Sequence, residues 1–188
     1  MNQLQLYFQT IGFNSLIAEV ISSKFHQSQL SKGDFLVTEG EKFQKLVFLE
    51  SGQLQFFSRV DQIEEITTYI SLGPSFVTSL ASYLQDIPTR ENIKALKNSI
   101  IWSAEKAGIV ALQEEFQDFK NFYIQLIEYQ LFCIDKSRLD FITLTPNQRY
   151  NQLVKENTKL MEEVPLQYLA SMLGITPRHL SRLRKSGN

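Results

Sequence analysis

The apolar positions of this 188-residue chain change their period along its length. In residues 3–25, Leu4, Tyr7, Phe8, Ile11, Leu16, Ile17, Val20 and Ile21 recur at steps that bring side chains onto one helix face. The pattern breaks near Gly12, and Asn14 or Ser15 can cap a second piece, so one or two short helices are predicted. From Leu30 the apolar runs shorten and fill with β-formers, at 35–37, 46–50, 54–58 and 66–72. Lys32-Gly33-Asp34, Glu39-Gly40-Glu41, Ser51-Gly52-Gln53 and Leu72-Gly73-Pro74 punctuate them, and Asp61-Gln62 falls in a polar hairpin connection. Short strands at this spacing predict an antiparallel barrel or sandwich. Residues 93–96 and 99–103 would close it, with Trp102 in the core. A short helix follows over 104–113.

Residues 114–141 contain neither proline nor glycine and predict one long helix with two apolar stripes. Phe116, Phe119, Tyr123, Leu126, Gln130 and Cys133 fall on alternating three- and four-residue steps, as in a coiled-coil seam. Ile124, Ile127, Leu131 and Ile134 make a second row. A helix that is apolar on two sides needs cover on two sides. One stripe is assigned to the chain's own β-domain and the other to the same helix of a second copy, with the Phe116-to-Cys133 set as the homodimer seam and Gln130 helping to set register. A monomer that buries both stripes is the alternative. Cys133 there is a small buried hydrophobe.

Thr143-Leu144-Thr145-Pro146 reads as a hinge, because residues before proline avoid the helical region. Thr145 and Pro146 also make a cap and first turn for a helix reaching Asn157, with Tyr150, Leu153 and Val154 facing inward. Beyond Glu162-Glu163, residues 164–185 carry two short helices around a tight turn. Pro165 suits a first turn, Leu169, Ala170, Met172 and Leu173 follow at helical spacing, and Gly174 stops the helix. Thr176 caps the next, with Pro177 at its first position. Leu180 and Leu183 point inward, and Arg178, Ser181, Arg182 and Lys185 share the opposite face. This is the spacing of a helix-turn-helix that presents its second helix to the DNA major groove. Arg178, His179 and Arg182 are the expected base-edge contacts; Thr176, Ser181, Arg184 and Lys185 are the expected phosphate contacts. Two such helices about 34 Å apart would read a palindromic site on double-stranded DNA.

Net charge is only −1, but its distribution sharpens the picture. Residues 145–188 hold seven Lys or Arg against three acids, leaving 12 against 17 in residues 1–144. A basic end on an acidic body focuses attraction for phosphate on that end. The single cysteine excludes an internal disulfide, a four-cysteine cluster and a structural zinc site of the usual kind, so no metal or cofactor is expected. Two distant histidines and one cysteine in an apolar helix offer no nucleophile–base pair, and an enzyme is not expected. With neither a basic-then-apolar leader nor a membrane-length apolar run, a cytoplasmic protein without membrane contact is expected.

The stretch from Lys32 to Phe57, with Gly33, Gly40 and Gly52 at the corners of a jelly roll, resembles the cyclic-nucleotide-binding β-roll. Followed by a long helix and a helix-turn-helix, the layout is similar to the CRP/FNR family of bacterial transcription regulators. The resemblance implies an α+β fold: a β-roll sensor domain over 1–113, a long dimerisation helix and hinge over 114–144, and a small all-α DNA-binding domain over 145–188. Only three residues follow Lys185, so the β-hairpin wing that family members often add is not expected at the C-terminus. The resemblance also implies an effector cassette over 72–96, with Phe76, Val77, Thr78, Arg90 and Asn92 as its candidate lining, and RNA polymerase as a further partner. In family members that bind cyclic AMP, a Gly-Glu holds the ribose and an Arg-Ser or Arg-Thr pair clamps the phosphate. Here Gly73 is followed by Pro74, and Arg90 by Glu91 and Asn92. A carboxylate beside an anion site repels the anion, so the cassette's fold carries over and its cyclic AMP chemistry does not. The effector is therefore an unknown small molecule, or none. The other function to be weighed is a ligand-binding regulatory module whose helical tail grips a protein rather than DNA.

Overall fold

The computed structural model describes residues 2–61 and 63–186. Gln62, assigned from sequence to the hairpin connection, lies outside the described residues, as do Gly187 and Asn188. The chain divides into two compact units, Met1–Ser58 with Ile70–Tyr123, and Arg59–Tyr69 with Ile124–Asn188.

The first unit begins with helices α1 (Gln3–Thr10) and α2 (Ser15–Ser23). Asn14 caps α2 through its side chain, which accepts from Ile17 N–H at 2.9 Å. The strands are β1 (His26–Leu30), β2 (Phe35–Val37), β3 (Lys45–Ser51), β4 (Gln53–Val60), β5 (Glu64–Leu72), β6 (Ser75–Val77), β7 (Asn92–Ala95) and β8 (Ser99–Glu105). They form two sheets, ordered β1-β8-β3-β6 and β2-β7-β4-β5. The pairings β1–β8, β2–β7, β3–β6, β3–β8 and β4–β7 are antiparallel, as expected for a roll. Both sheets send apolar side chains into one core: Val47, Leu49, Val77 and Ile101 from one, Val37, Leu54, Phe56, Ile93 and Ala95 from the other. Gly52 takes a positive φ of 105° at a corner where any Cβ would collide with the Ser99 backbone. Trp102 is buried, its indole N–H donating to Glu50 Oε2 at 2.6 Å.

Strand β1 is an addition to the expected roll: its HQSQL sequence has no apolar alternation, yet it pairs along β8. The cassette contributes β6 and a short helix, α3 (Leu80–Gln85). Helix α4 (Lys106–Glu115) and helix α5 (Gln117–Thr143) are separated at Phe116, whose extended backbone (φ −126°, ψ 110°) ends α4 just past the expected 113. The first turns of α5 belong to the first unit, where Phe119 and Phe122 join Phe8, Phe13 and Phe76 in an aromatic cluster.

The second unit holds the rest of α5 with α6 (Pro146–Glu156), α7 (Thr158–Glu163), α8 (Leu166–Met172), α9 (Pro177–Ser186) and the outer part of the β4–β5 hairpin. Thr145 forms a full capping box with Gln148 and precedes Pro146, as the hinge sequence predicted. Asn157 ends α6 where the sequence placed that helix's end, and it also caps α7, a short helix that periodicity did not mark.

The stripes of α5 are distributed differently from the expectation. Phe119 is fully buried, and Phe116, Tyr123, Leu126, Gln130 and Cys133 are half-buried against their own unit. The set expected as a homodimer seam is thus largely covered by the chain itself. In the second row Ile124 is 43%, Leu131 54% and Ile134 53% exposed, while Ile127 is half-buried. Among the described residues no helix is long and apolar enough to cross a membrane.

Candidate nucleic-acid interface

Helices α8 and α9 are joined by a turn whose chemistry is legible residue by residue. Leu173 caps α8, and Gly174 follows with φ +68°. Gly174 N–H donates to Ser171 O and Ile175 N–H to Ala170 O, each at 3.0 Å, which satisfies two carbonyls at the helix end in a Schellman arrangement. A Cβ at position 174 would also stand 2.8 Å from the Phe141 ring, so glycine is required there on two counts. Thr176 caps α9 by accepting from His179 N–H at 3.2 Å, and Pro177 takes the first helical position.

Packing fixes which face of α9 is left for solvent. Leu180 is fully buried with Leu169 and Ala170, close to Leu160, Val164 and Leu173 in burial, and Leu183 is half-buried. Thr176, Arg178, Arg182 and Lys185 are exposed, while His179 and Ser181 are half-buried. Helix α9 has no acid in its first turn and two cations in its last. Of the expected DNA-facing side chains, the structure brings Thr176, Arg178, Arg182 and Lys185 to the outer surface of one small module.

Two arginines of the basic end are engaged internally. Arg184 donates to Met161 O at 2.8 Å and so braces α9 on the end of α7. Part of its donor capacity is thus taken up by a carbonyl. Arg149 donates to Leu144 O at 2.7 Å and to Leu173 O at 3.0 Å, and its guanidinium lies 4.4 Å above the Phe141 ring. It therefore ties the end of α5 to the end of α8. Nearby, Lys136 bridges Asp140 at 3.2 Å and Glu156 at 2.9 Å. The hydrogen bond between them raises the Lys136 amine and lowers the Glu156 carboxyl from their ordinary values.

The expected effector lining does not converge. Phe76 packs its ring against Tyr7, Phe8, Phe48 and Phe122, on the side of β6 opposite the roll core that holds Val77. Alternation along a strand sends neighbours to opposite faces, so Phe76 and Val77 do not line one surface together. Thr78 donates to Lys45 O at 2.9 Å. Arg90 is exposed, and Asn92 is buried with its Oδ1 accepting from Glu39 N–H at 3.1 Å. What the cassette does assemble is a small polar cluster that motif reading missed. Ser79 Oγ lies 2.7 Å from Thr89 Oγ1 and donates to Glu91 Oε1 at 3.0 Å. Desolvation raises the Glu91 carboxyl above its ordinary value, with the Ser79 hydroxyl pulling partly the other way.

Residues 27–116 match the family model described as cyclic nucleotide-binding domain. Over 99 residues the chain is 27% identical to a cAMP-dependent protein kinase regulatory subunit of Candida albicans, a match covering 52% of this chain and 19% of that protein. The chain thus spans about a fifth of the length of this curated relative. Among solved structures, a CooA mutant from Carboxydothermus hydrogenoformans superposes with a TM-score of 0.72 at 16% identity, over 99% of this chain and 84% of that one. A putative transcriptional regulator of the CRP/FNR family from Eubacterium rectale gives 0.69 at 16% identity, over 99% and 87%. FixK2 from Bradyrhizobium japonicum gives 0.72 at 12% identity, over 86% and 83%. The chain carries a cyclic nucleotide-binding domain fold and shares its architecture with regulators of the CRP/FNR type.

Proposed function

We propose that this chain is a dimeric, sequence-specific DNA-binding transcription regulator of the CRP/FNR type, with a cassette that does not bind cyclic AMP. The reading divides the chain into a sensor domain over 1–113, a dimerisation helix and hinge over 114–144, and a DNA-binding domain over 145–188. The observation that carries it is α9: Leu180 anchors one face, while Arg178, Arg182 and Lys185 stand exposed on the other. Exposed cations on a short capped helix suit a groove lined with phosphate and base edges. The row Ile124, Leu131 and Ile134 supplies the apolar surface that a second copy would cover, since burying such a side chain is worth roughly 1.5–3 kcal/mol.

The cassette reading rests on Glu91. A cyclic phosphate needs a cation and N–H donors at its site. The Ser79–Thr89–Glu91 cluster offers a carboxylate instead, and Arg90 is exposed. A different effector, and RNA polymerase as a partner, belong to the same proposal.

Fluorescence anisotropy on genomic fragments, titrated with salt, tests the function. A steep salt slope with sequence preference is the expected result. Arg182→Ala should cost roughly 1–3 kcal/mol on the preferred sequence and relax specificity there. An equal loss on every sequence would make Arg182 a phosphate contact. Absence of any preference, with a shallow slope, would favour a module that grips protein.

A further inference from the structure

Strand β5 ends its sheet order, so one edge of it pairs with no strand among the described residues. Such an edge leaves N–H and C=O groups that need partners. At Glu65 and Thr67 the partner comes from α8, more than a hundred residues away. Ser171 Oγ accepts from Thr67 N–H at 2.9 Å and donates to Glu65 O at 3.4 Å. Residues two apart on a strand direct these groups to the same side, so one hydroxyl replaces a rung of the missing ladder. The same strand carries Tyr69, which lies beside Tyr129 and Cys133 of α5, where burial raises its phenol. The outer hairpin therefore touches both the long helix and the first helix of the helix-turn-helix. It is also acidic, with Asp61, Glu64 and Glu65 against Arg59, which pairs with Glu65 at 3.5 Å.

We propose that the β4–β5 hairpin is a latch on the helix-turn-helix, with the Ser171 hydroxyl as its catch, and that the latched state restrains DNA binding. The restraint rests on the DNA-binding reading above. It has two physical sources. Paired backbone groups hold α8 to the hairpin, and the hairpin adds carboxylates to the unit that must meet phosphate.

The test compares the full-length protein with Ser171→Ala and with Ser171→Thr, which keeps a hydroxyl. Hydrogen exchange reads the latch and anisotropy on the preferred DNA fragment reads its effect. In Ser171→Ala, exchange over residues 64–69 should speed up about tenfold, the factor expected for losing one or two neutral hydrogen bonds. Exchange in β3 and β8 should stay unchanged. DNA affinity should rise several-fold, and Ser171→Thr should restore both values. Unchanged exchange would refute the catch. Faster exchange with equal or weaker DNA binding would refute the restraint. If none of the three proteins bound any fragment, the DNA-binding reading would fall and the restraint with it, while exchange would still judge the hydroxyl contact by itself.

Discussion

The cassette and the C-terminal helix pair both gather polar side chains around a short helix, and they use them in opposite ways. In the cassette, Ser79, Thr89 and Glu91 turn their polar atoms onto one another or onto backbone, and Asn92 accepts from Glu39 N–H while its buried Nδ2 meets no partner among the described residues; all but half-buried Glu91 are buried. In the pair, Leu169, Ala170 and Leu180 fill the interior, and Arg178, Arg182 and Lys185 are held out. A polar group satisfied inside the chain stabilises one shape and has little left to offer a ligand. A cation exposed on an anchored helix is accessible to an anion in solution. The same fold thus holds a region whose polar groups mostly face inward and a region whose cations stand exposed.

The largest test asks whether the open region works only as a pair. Leu131→Glu puts a charge on the outward row of α5 and should leave the protein monomeric by sedimentation. Losing the linked second site should then weaken DNA binding by about 100-fold or more. A monomer that still bound tightly would separate the helix pair from any need for a partner.

The next test separates cations that hold structure from cations that face outward. Arg149→Ala should lower unfolding stability by about 1.5–3 kcal/mol in a urea titration, because charged hydrogen bonds to Leu144 O and Leu173 O are lost. The salt slope of DNA binding measured on the folded protein should not change. Lys185→Ala should do the reverse, leaving stability alone and reducing the slope by about 1.

A smaller effect belongs to Glu91. Its carboxyl titrates above its ordinary value because burial disfavours the charge. The folded state therefore holds this proton more tightly than the unfolded state. This contribution to stability is fully present below the unfolded value and is lost as pH rises through the folded one. Thermal unfolding followed from acid to neutral pH should show that loss, and Glu91→Gln should flatten it. The smallest expected response is to cyclic AMP itself, which should give no resolvable rise in melting temperature; a clear rise would place a phosphate site in the cassette after all.

Local signals were the readable part of the sequence. Thr145-Pro146, Gly174 and Thr176-Pro177 each specify a cap or a turn through their own backbone preferences, and each appears where expected. Glycines at 33, 40 and 52 likewise take positive φ at the roll's corners. Strand β1 was not readable, because its polar sequence becomes a strand only by pairing with β8. Nor could periodicity decide which stripe of α5 turns inward: it identifies two apolar faces, and tertiary packing assigns them. The same limit hid the direction of Phe76, which depends on which neighbour the strand commits to the core. Ser171 carried no local signal at all, because its partners are far away in the chain.

The corner at Gly174 has a mechanical consequence. With the Phe141 ring filling the space where a side chain would grow and Arg149 clasping both sides, the end of the long helix and the α8–α9 turn are wedged together. Even a methyl group at position 174 would press on that ring and force the turn and the helix end apart.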